Sequence, residues 1–266
     1  MNPKISVITI TYNNKEGLEK TIKSVIAQTS KDFEYIIIDG NSDDGSKEIL
    51  KRYSNKIDYW ISEPDHGIYN AMNKGIRASN GEYLIFLNSG DEFYTDQSLE
   101  KAFPYLSDED IVYGDLQIVN KQDIFIKKYN DSLSFHYFYI ESLPHPSTFI
   151  KKTAFEKVGL YDETLKIVAD WEWFLEAIVF KQCSFKYIPI IVSTFYLDGV
   201  SSINNKEVQK ERNRVLDKYS YIVKDMIQIE ELRKKTTSFE HRYNHLKQYR
   251  LVKLLAALKL ITIREK

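Results

Sequence analysis

The chain has little cysteine, no long apolar run and no excess of positive charge. Its one cysteine, Cys183, excludes an intramolecular disulfide and is typical of a reducing compartment. The longest span free of Asp, Glu, Lys and Arg, residues 187–197, is too short to cross a bilayer, and the first ten residues are too weakly apolar for a signal peptide. A net charge of −1 argues against a nucleic-acid partner. We therefore expect a cytoplasmic protein, or one bound peripherally to the inner face of the membrane.

Glycine-rich phosphate motifs are also missing. The stretch IIIDGNSDDGSK, residues 36–47, spaces Gly40 and Gly45 as a phosphate loop does, but the Ser-Lys pair that follows is in the reverse order. Asp43 and Asp44 would repel a polyphosphate unless a cation intervened. No G-x-G-x-x-G follows the first apolar run, which disfavours a dinucleotide oxidoreductase. The stretch favours an ordinary strand-to-helix turn.

Apolar runs alternate with amphipathic segments in the first part of the chain. Continuous apolar runs predict buried strands at 5–12, 33–39 and 82–87. Between the first two, residues 15–28 carry apolar side chains on one helical face. This alternation predicts a mostly parallel sheet.

The texture of the sequence changes twice. Residues 110–200 hold short aromatic-rich strands around one strong helix, 171–181, and the chain beyond 204 is charged with no strand pattern. We predict one α/β domain over residues 1–203, divided into halves 1–110 and 111–203, and a helical C-terminal extension over 204–266.

Polar residues follow each predicted strand of the first half. They are Thr11, Tyr12 and Asn13, then Asp39 and Gly40, and finally Asn88, Ser89, Gly90 and Asp91. The carboxyl ends of parallel strands form the ligand crevice of an open sheet. We therefore expect these residues to converge on one binding site, although a single Asp after a strand is more often a turn former.

In order and spacing, seven segments within residues 4–202 resemble family 2 glycosyltransferases with the GT-A fold. They are SVITITYNN, TIKSVIAQT, EYIIIDGNSDDGS, SEPDHGIYNAMNKGI, GEYLIFLNSGDEF, LPHPSTFI and VADWEWFL. The resemblance is strongest to bacterial members that assemble exopolysaccharide, capsule or lipopolysaccharide sugars. It implies a GT-A, Rossmann-like sheet, mixed but mostly parallel, flanked by helices.

The resemblance also implies a nucleotide-sugar donor, most often a UDP-sugar. Its base and ribose would contact the opening strand and the turn at 39–40, and Asn73 would approach it. The metal motif maps to NSGD, where many relatives have Asp-x-Asp and this chain has only Asp91. One carboxylate plus diphosphate oxygens and waters suits Mg²⁺ or Mn²⁺. Where many relatives have GIYDAMN, this chain has Asn70.

The catalytic base of the resembled family maps to Asp170. An Asp before a helical run is also a favoured N-cap, and Glu172 is the alternative base. Trp171 can stack on a sugar or belong to the core. His145, between two prolines, is either a pocket residue or a structural histidine.

The chain is thus predicted to be a metal-dependent inverting glycosyltransferase that acts on a saccharide or lipid-linked acceptor. A sugar nucleotidyltransferase would need a Gly-rich basic loop near the N-terminus, which is not present. A non-catalytic partner subunit that binds nucleotide sugars is suggested by the reduced metal motif, but Asp91 and Asp170 are both retained.

Two C-terminal segments have predicted roles. Residues 198–202, DGVSS, follow the last strand and resemble a segment that closes over the donor. Residues 249–266 place leucines on one helical face and basic residues elsewhere. Such a helix can lie on an anionic membrane or mediate a homodimer.

Overall fold

The computed structural model describes residues 2–120, 123–197, 205–225 and 228. Residues Met1–Asn213 form one compact unit, and a second unit begins at Arg214. The predicted donor-closing segment 198–202 and the amphipathic segment 249–266 lie outside the described residues, and the predicted domain boundary at 203 stays a prediction.

Strands and helices alternate through the first unit. The strands are β1 (Ile5–Thr11), β2 (Phe33–Asp39), β3 (Tyr59–Ser62), β4 (Tyr83–Phe86), β5 (Glu92–Phe93), β6 (Ile111–Val119), β7 (Ile124–Lys127), β8 (Thr148–Lys151) and β9 (Phe185–Tyr196). The α-helices are α1 (Lys15–Ile26), α2 (Ser46–Tyr53), α3 (Ile68–Ala78), α4 (Ser98–Ala102), α5 (Phe135–Ile140), α6 (Lys152–Val158), α7 (Ala169–Leu175) and α8 (Asn205–Asp217).

The strands of the described chain form one mixed sheet in the order β3-β2-β1-β4-β8-β6-β9-β5, with β7 paired to β6. The block β3-β2-β1-β4 is parallel, and so is the pair β6 and β9. Strand β8 runs antiparallel to both β4 and β6 and joins the two blocks. The chain leaves β1 for β2 on one side and returns to β4 on the other, so a crevice opens beyond the carboxyl end of β1. The predicted α/β fold is confirmed.

Burial explains the first strand and helix. Every residue of β1 is buried, as the continuous apolar run predicts. Helix α1 begins after Asn14, whose side chain accepts a hydrogen bond from the Gly17 amide at 3.1 Å, and it buries Leu18, Ile22 and Val25 against the sheet. These contacts fix the loop 12–14 at the mouth of the crevice.

The predicted helix 171–181 is wrong in its bounds and in its start signal. Helix α7 begins at Ala169 after Val168 and passes into a π-helical turn, Glu176–Phe180. Asp170 therefore lies inside the first helical turn and is not the N-cap. The predicted strand 5–12 is one residue too long and the predicted helix 15–28 is two residues too long, because β1 pairs with β2 only as far as Thr11 and Ala27 is the C-cap of α1.

Over the residues that the structure describes, none of the helices is both long and apolar enough to cross a membrane.

Candidate active site

A cavity of about 790 Å³ lies at the carboxyl ends of β1 and β4 and extends beneath β6 and β9. Its lining near the ends of β1 and β4 includes Thr11, Tyr12, Asn14, Asp65, Asn88, Ser89, Gly90 and Asp91. Farther along lie His145, Asp170, Trp171 and Arg212. The structure thus brings together nine of the predicted site residues, which come from four separate segments of the sequence.

The NSGD turn is held by the helix opposite it. The Thr21 hydroxyl donates to the Asp91 carbonyl at 2.7 Å and accepts from the Gly90 amide at 2.9 Å. Gly90 has φ 109°, a left-handed conformation that favours glycine. The Asn14 amide adds a hydrogen bond to the Ser89 carbonyl at 3.0 Å. The turn therefore fixes the backbone beneath the largely buried Asp91 carboxyl group.

Two predicted donor contacts are buried behind the cavity wall. Asp39 is fully buried, and its carboxylate accepts hydrogen bonds from Ser42 and Ser62. A Cβ on Gly40 would lie 2.6 Å from an Asp65 carboxylate oxygen and 3.1 Å from the Tyr12 ring, so a larger residue there would displace the Asp65 side chain. Both residues shape the turn after β2 and lie outside the cavity lining.

Asn13 and Asn73 also lie outside the cavity lining. The Asn13 side chain accepts from the Asp43 amide at 3.0 Å and joins the turns after β1 and β2. The buried Asn73 amide donates to the Tyr161 carbonyl at 3.0 Å and to Glu163 at 2.8 Å. These bonds account for both side chains as structural groups, and their donor-binding roles stay predictions.

Asn70 has a local explanation as well. Its side-chain amide donates to the second oxygen of Glu163 at 2.7 Å. An aspartate at position 70 would place a second carboxylate against Glu163, and like charges repel. The Asn at this position and Glu163 are therefore a matched pair.

The Asp170 carboxylate is bound by two side chains from different segments. Its Oδ1 accepts a hydrogen bond from the Tyr69 hydroxyl on α3 at 2.8 Å, and its Oδ2 lies 3.2 Å from His145 Nδ1. The same Tyr69 hydroxyl lies 2.6 Å from the Ile167 carbonyl, to which it also donates. The other ring nitrogen of His145 lies 3.2 Å from the Asn88 amide. A polar chain thus connects the NSGD turn to Asp170.

These contacts set the charges of Asp170 and His145. Burial opposes ionisation of Asp170, but the His145 ring and the Tyr69 hydroxyl stabilise the carboxylate and lower its pKa. Burial likewise opposes protonation of His145, yet Asp170 and then Asp91 raise the pKa of the imidazole. Burial and the Asp170 charge raise the pKa of Tyr69, which therefore remains a hydrogen-bond donor.

Three contributors to the site were missed from the sequence. Arg212 of α8 lies over the Trp171 ring at 4.5 Å and donates to the Phe138 carbonyl at 3.0 Å. The neighbouring Glu211 accepts from the amides of residues 166 and 167, just before α7. Tyr69 is the third. Nothing in helical spacing distinguishes these side chains from surface residues, because their partners are distant in sequence.

The remaining predicted residues of α7 take different places. Trp171 lines the cavity, and its indole donates to the Phe138 carbonyl at 2.7 Å. Glu172 is buried and does not line the cavity. Trp173 packs against Phe155 with ring centroids 4.7 Å apart and belongs to the core.

Comparison with known proteins gives the family. A family model described as Glycosyl transferase family 2 matches residues 6–165. The chain belongs to this family. An uncharacterized glycosyltransferase of Mycobacterium tuberculosis (strain ATCC 25618 / H37Rv) is 34% identical over 208 residues, covering 75% of this chain and 78% of the relative. A PGL/p-HBAD biosynthesis glycosyltransferase of Mycobacterium bovis (strain BCG / Pasteur 1173P2) is 25% identical over 216 residues, covering 79% of this chain and 82% of the relative.

Solved structures show the same fold. Staphylococcus aureus TarS 1–349 in complex with UDP superposes with a TM-score of 0.61 at 18% identity, covering 73% of this chain and 60% of TarS 1–349. The mannosyltransferase PcManGT from Pyrobaculum calidifontis, in complex with GDP-Man and Mn²⁺, superposes with a TM-score of 0.57 at 16% identity, covering 76% of this chain and 59% of PcManGT. The glycosyltransferase spans less than two thirds of either structure.

Two neighbouring tyrosines provide a matched test of the Asp170 network. Tyr69→Phe removes the hydroxyl bonded to Asp170 and Ile167, so we expect the free energy of unfolding to fall by about 1–3 kcal/mol. Tyr161→Phe removes a buried hydroxyl that has no hydrogen-bond partner among the described residues, so we expect a change below about 0.5 kcal/mol or a gain. Urea denaturation measures both. Equal losses in the two variants would contradict the network.

Proposed function

We propose that this glycosyltransferase transfers a sugar with inversion from a UDP-sugar to a saccharide or lipid-linked acceptor in bacterial surface polysaccharide biosynthesis. The observation that carries the proposal is the Asp170 carboxylate in the cavity wall, ionised and held by Tyr69 and His145. The reaction would take place on the cytoplasmic side, with the protein peripheral to the membrane where the acceptor is lipid-linked.

The nucleotide would lie at the carboxyl end of β1. Tyr12 lines the cavity there with 67% of its surface exposed, so its ring is available to stack on a base. TarS has been solved in complex with UDP and with UDP-GlcNAc, and PcManGT in complex with GDP-Man. A UDP-sugar donor for this protein is consistent with the UDP complex of TarS. The transferred sugar would be a hexose.

A divalent cation fits the donor side of the cavity. Asp91 supplies a carboxylate, and the buried Asn88 amide oxygen has no hydrogen-bond partner in the described part of the chain. Among the described residues, no group of three or more His, Cys, Asp or Glu side chains is placed to hold a metal ion. Mg²⁺ and Mn²⁺ can bind through one or two protein oxygens, and their other ligands would be diphosphate oxygens and waters. When bound, such a cation would neutralise charge on the departing diphosphate.

Inversion requires the acceptor hydroxyl to attack the anomeric carbon from the side opposite the leaving group. Asp170 would accept the hydroxyl proton, because its carboxylate is ionised and its orientation is fixed by two donors. His145 and Tyr69 would hold that carboxylate in place. Trp171, beside it, would contact the acceptor sugar.

Two other functions are less well supported. A sugar nucleotidyltransferase has no Gly-rich basic loop here to bind a triphosphate. A non-catalytic partner subunit does not require an oriented, ionised carboxylate at position 170. Release of UDP from donor by the purified chain would separate a transferase from a binding subunit.

The base assignment predicts a specific kinetic result. Asp170→Asn keeps the side-chain volume but removes the proton acceptor, so kcat should fall by about 10²–10⁴ while donor affinity stays nearly unchanged. Glu172→Gln, the matched control, should retain turnover because Glu172 lies outside the cavity lining. Steady-state kinetics with calorimetry of UDP binding measure both effects. Full turnover in Asp170→Asn, or a product with the donor's anomeric configuration, would overturn the assignment.

The metal assignment predicts a loss of cation-dependent donor binding. Asp91→Ala removes the one carboxylate of the NSGD turn, so UDP affinity should no longer rise when Mn²⁺ is added. Asp96→Ala, an exposed carboxylate five residues away, is the control and should keep that dependence. Calorimetric UDP titrations with and without Mn²⁺ measure it. An unchanged Mn²⁺ effect in Asp91→Ala would rule out this role.

A further inference from the structure

An apolar row crosses three neighbouring strands and runs out of the cavity. Phe125 of β7 pairs in register with Ile118 of β6, and Ile118 pairs with Phe195 of β9. Register partners on adjacent strands point their side chains to the same face of a sheet. Ile118 and Phe195 line the cavity, so Phe125 continues the row beyond it, with 45% of its surface exposed.

Three more apolar side chains widen this row. Leu116 lies two residues before Ile118 on the same face and also lines the cavity. Ile140 of α5 and Leu197 after β9 line the cavity while 57% and 42% exposed. We refer to the whole set as the apolar strip: Leu116, Ile118, Phe125, Ile140, Phe195 and Leu197. Apolar groups that rim a ligand groove mark an interaction site.

The cavity is therefore polar at one end and mainly apolar at the other. One ion pair, Lys127–Glu141 at 2.7 Å, also lines the apolar end, and Lys127 pairs in register with Leu116. Asp91 and Asn88 follow β4, whereas most of the apolar strip is carried by β6, β7 and β9, beyond β8 in the strand order. Asp170 and His145 belong to the polar end. A ligand that fills both parts needs a sugar-like end and a hydrocarbon end.

We propose that the apolar strip binds the aliphatic chain of the acceptor. This inference rests on the proposed transfer reaction, and it narrows the acceptor to an amphiphile whose hydroxyl lies at Asp170 and whose chain leaves the cavity over Phe125. The strip starts inside the cavity that Asp170 lines, so a chain attached to the acceptor sugar can follow the strip without leaving the site. Ile124 and Ile126 alternate onto the other face of β7, so a chain on the strip would contact Phe125 and not these two side chains, whereas a bilayer that enclosed β7 would contact both faces.

The test uses the full-length protein and a series of alkyl glucosides with alkyl chains of increasing length, each kept below the concentration at which it forms micelles. Each added methylene that reaches the strip should lower Kd by about two- to fourfold until the strip is covered. Isothermal calorimetry measures this series.

Matched variants locate the effect. Phe125→Ser and Ile140→Ser should each flatten the dependence of Kd on chain length. Tyr59→Ser is the control, since Tyr59 is an equally exposed aromatic side chain on β3 at the far edge of the sheet. It should keep the wild-type dependence.

Several outcomes would overturn the inference. They are a Kd independent of chain length in the unmodified protein, the same loss in Tyr59→Ser, or an equal loss in Ile124→Ser, which would indicate a broad surface contact. UDP titration of the same samples reports on the donor site separately. If UDP binds but the affinity for alkyl glucosides does not depend on chain length, the proposed transferase stands and the role of the apolar strip is rejected. If the alkyl chain binds but UDP does not, the strip binds hydrocarbon and the proposed donor site is rejected.

Discussion

A buried carboxylate is costly unless hydrogen-bond donors surround it, and Asp170 meets this constraint by joining distant parts of the chain. Tyr69 comes from α3 in the first half of the domain, and His145 comes from the loop before β8. Tyr69 also packs against Tyr161, which contacts Phe86 of β4 at 5.8 Å between ring centroids. The carboxylate is thus stable only when the two halves are docked, and the same docking encloses the cavity.

Two residues of α8 hold the segments around Asp170 and Trp171 in place. Glu211 holds the backbone that enters α7, and Arg212 holds the carbonyl of Phe138 while covering Trp171. Adjacent residues of one helix therefore fix both the segment that carries Asp170 and the segment that carries the exposed Ile140. This arrangement couples the orientation of α7 to the position of α5, because neither segment can shift without losing a hydrogen bond to α8.

Sequence patterns predicted the sheet and most of the polar crevice, because buried parallel strands are continuous apolar runs and their polar ends follow directly. The same patterns could not separate residues that face the cavity from residues that shape its walls. Asp39 and Asn73 follow the family motif yet are bonded to Ser42, Ser62 and the loop at 161. Asp170 looked like a helix cap, but its carboxylate is bound by side chains 25 and 101 residues away. Such pairings depend on tertiary contacts that a single sequence does not reveal.

The division of the cavity into polar and apolar ends follows from the topology of the sheet. Strands β1 and β4 end in turns, and turns need polar residues to bind their free backbone groups. Strands β6 and β9 instead stay paired with each other up to their last residues, Val119 and Tyr196, so the backbone groups there are satisfied within the sheet and the side chains on the cavity face can be apolar. A ligand with one polar and one hydrocarbon end would therefore be complementary to a boundary between two kinds of backbone, turns on one side and paired strand ends on the other.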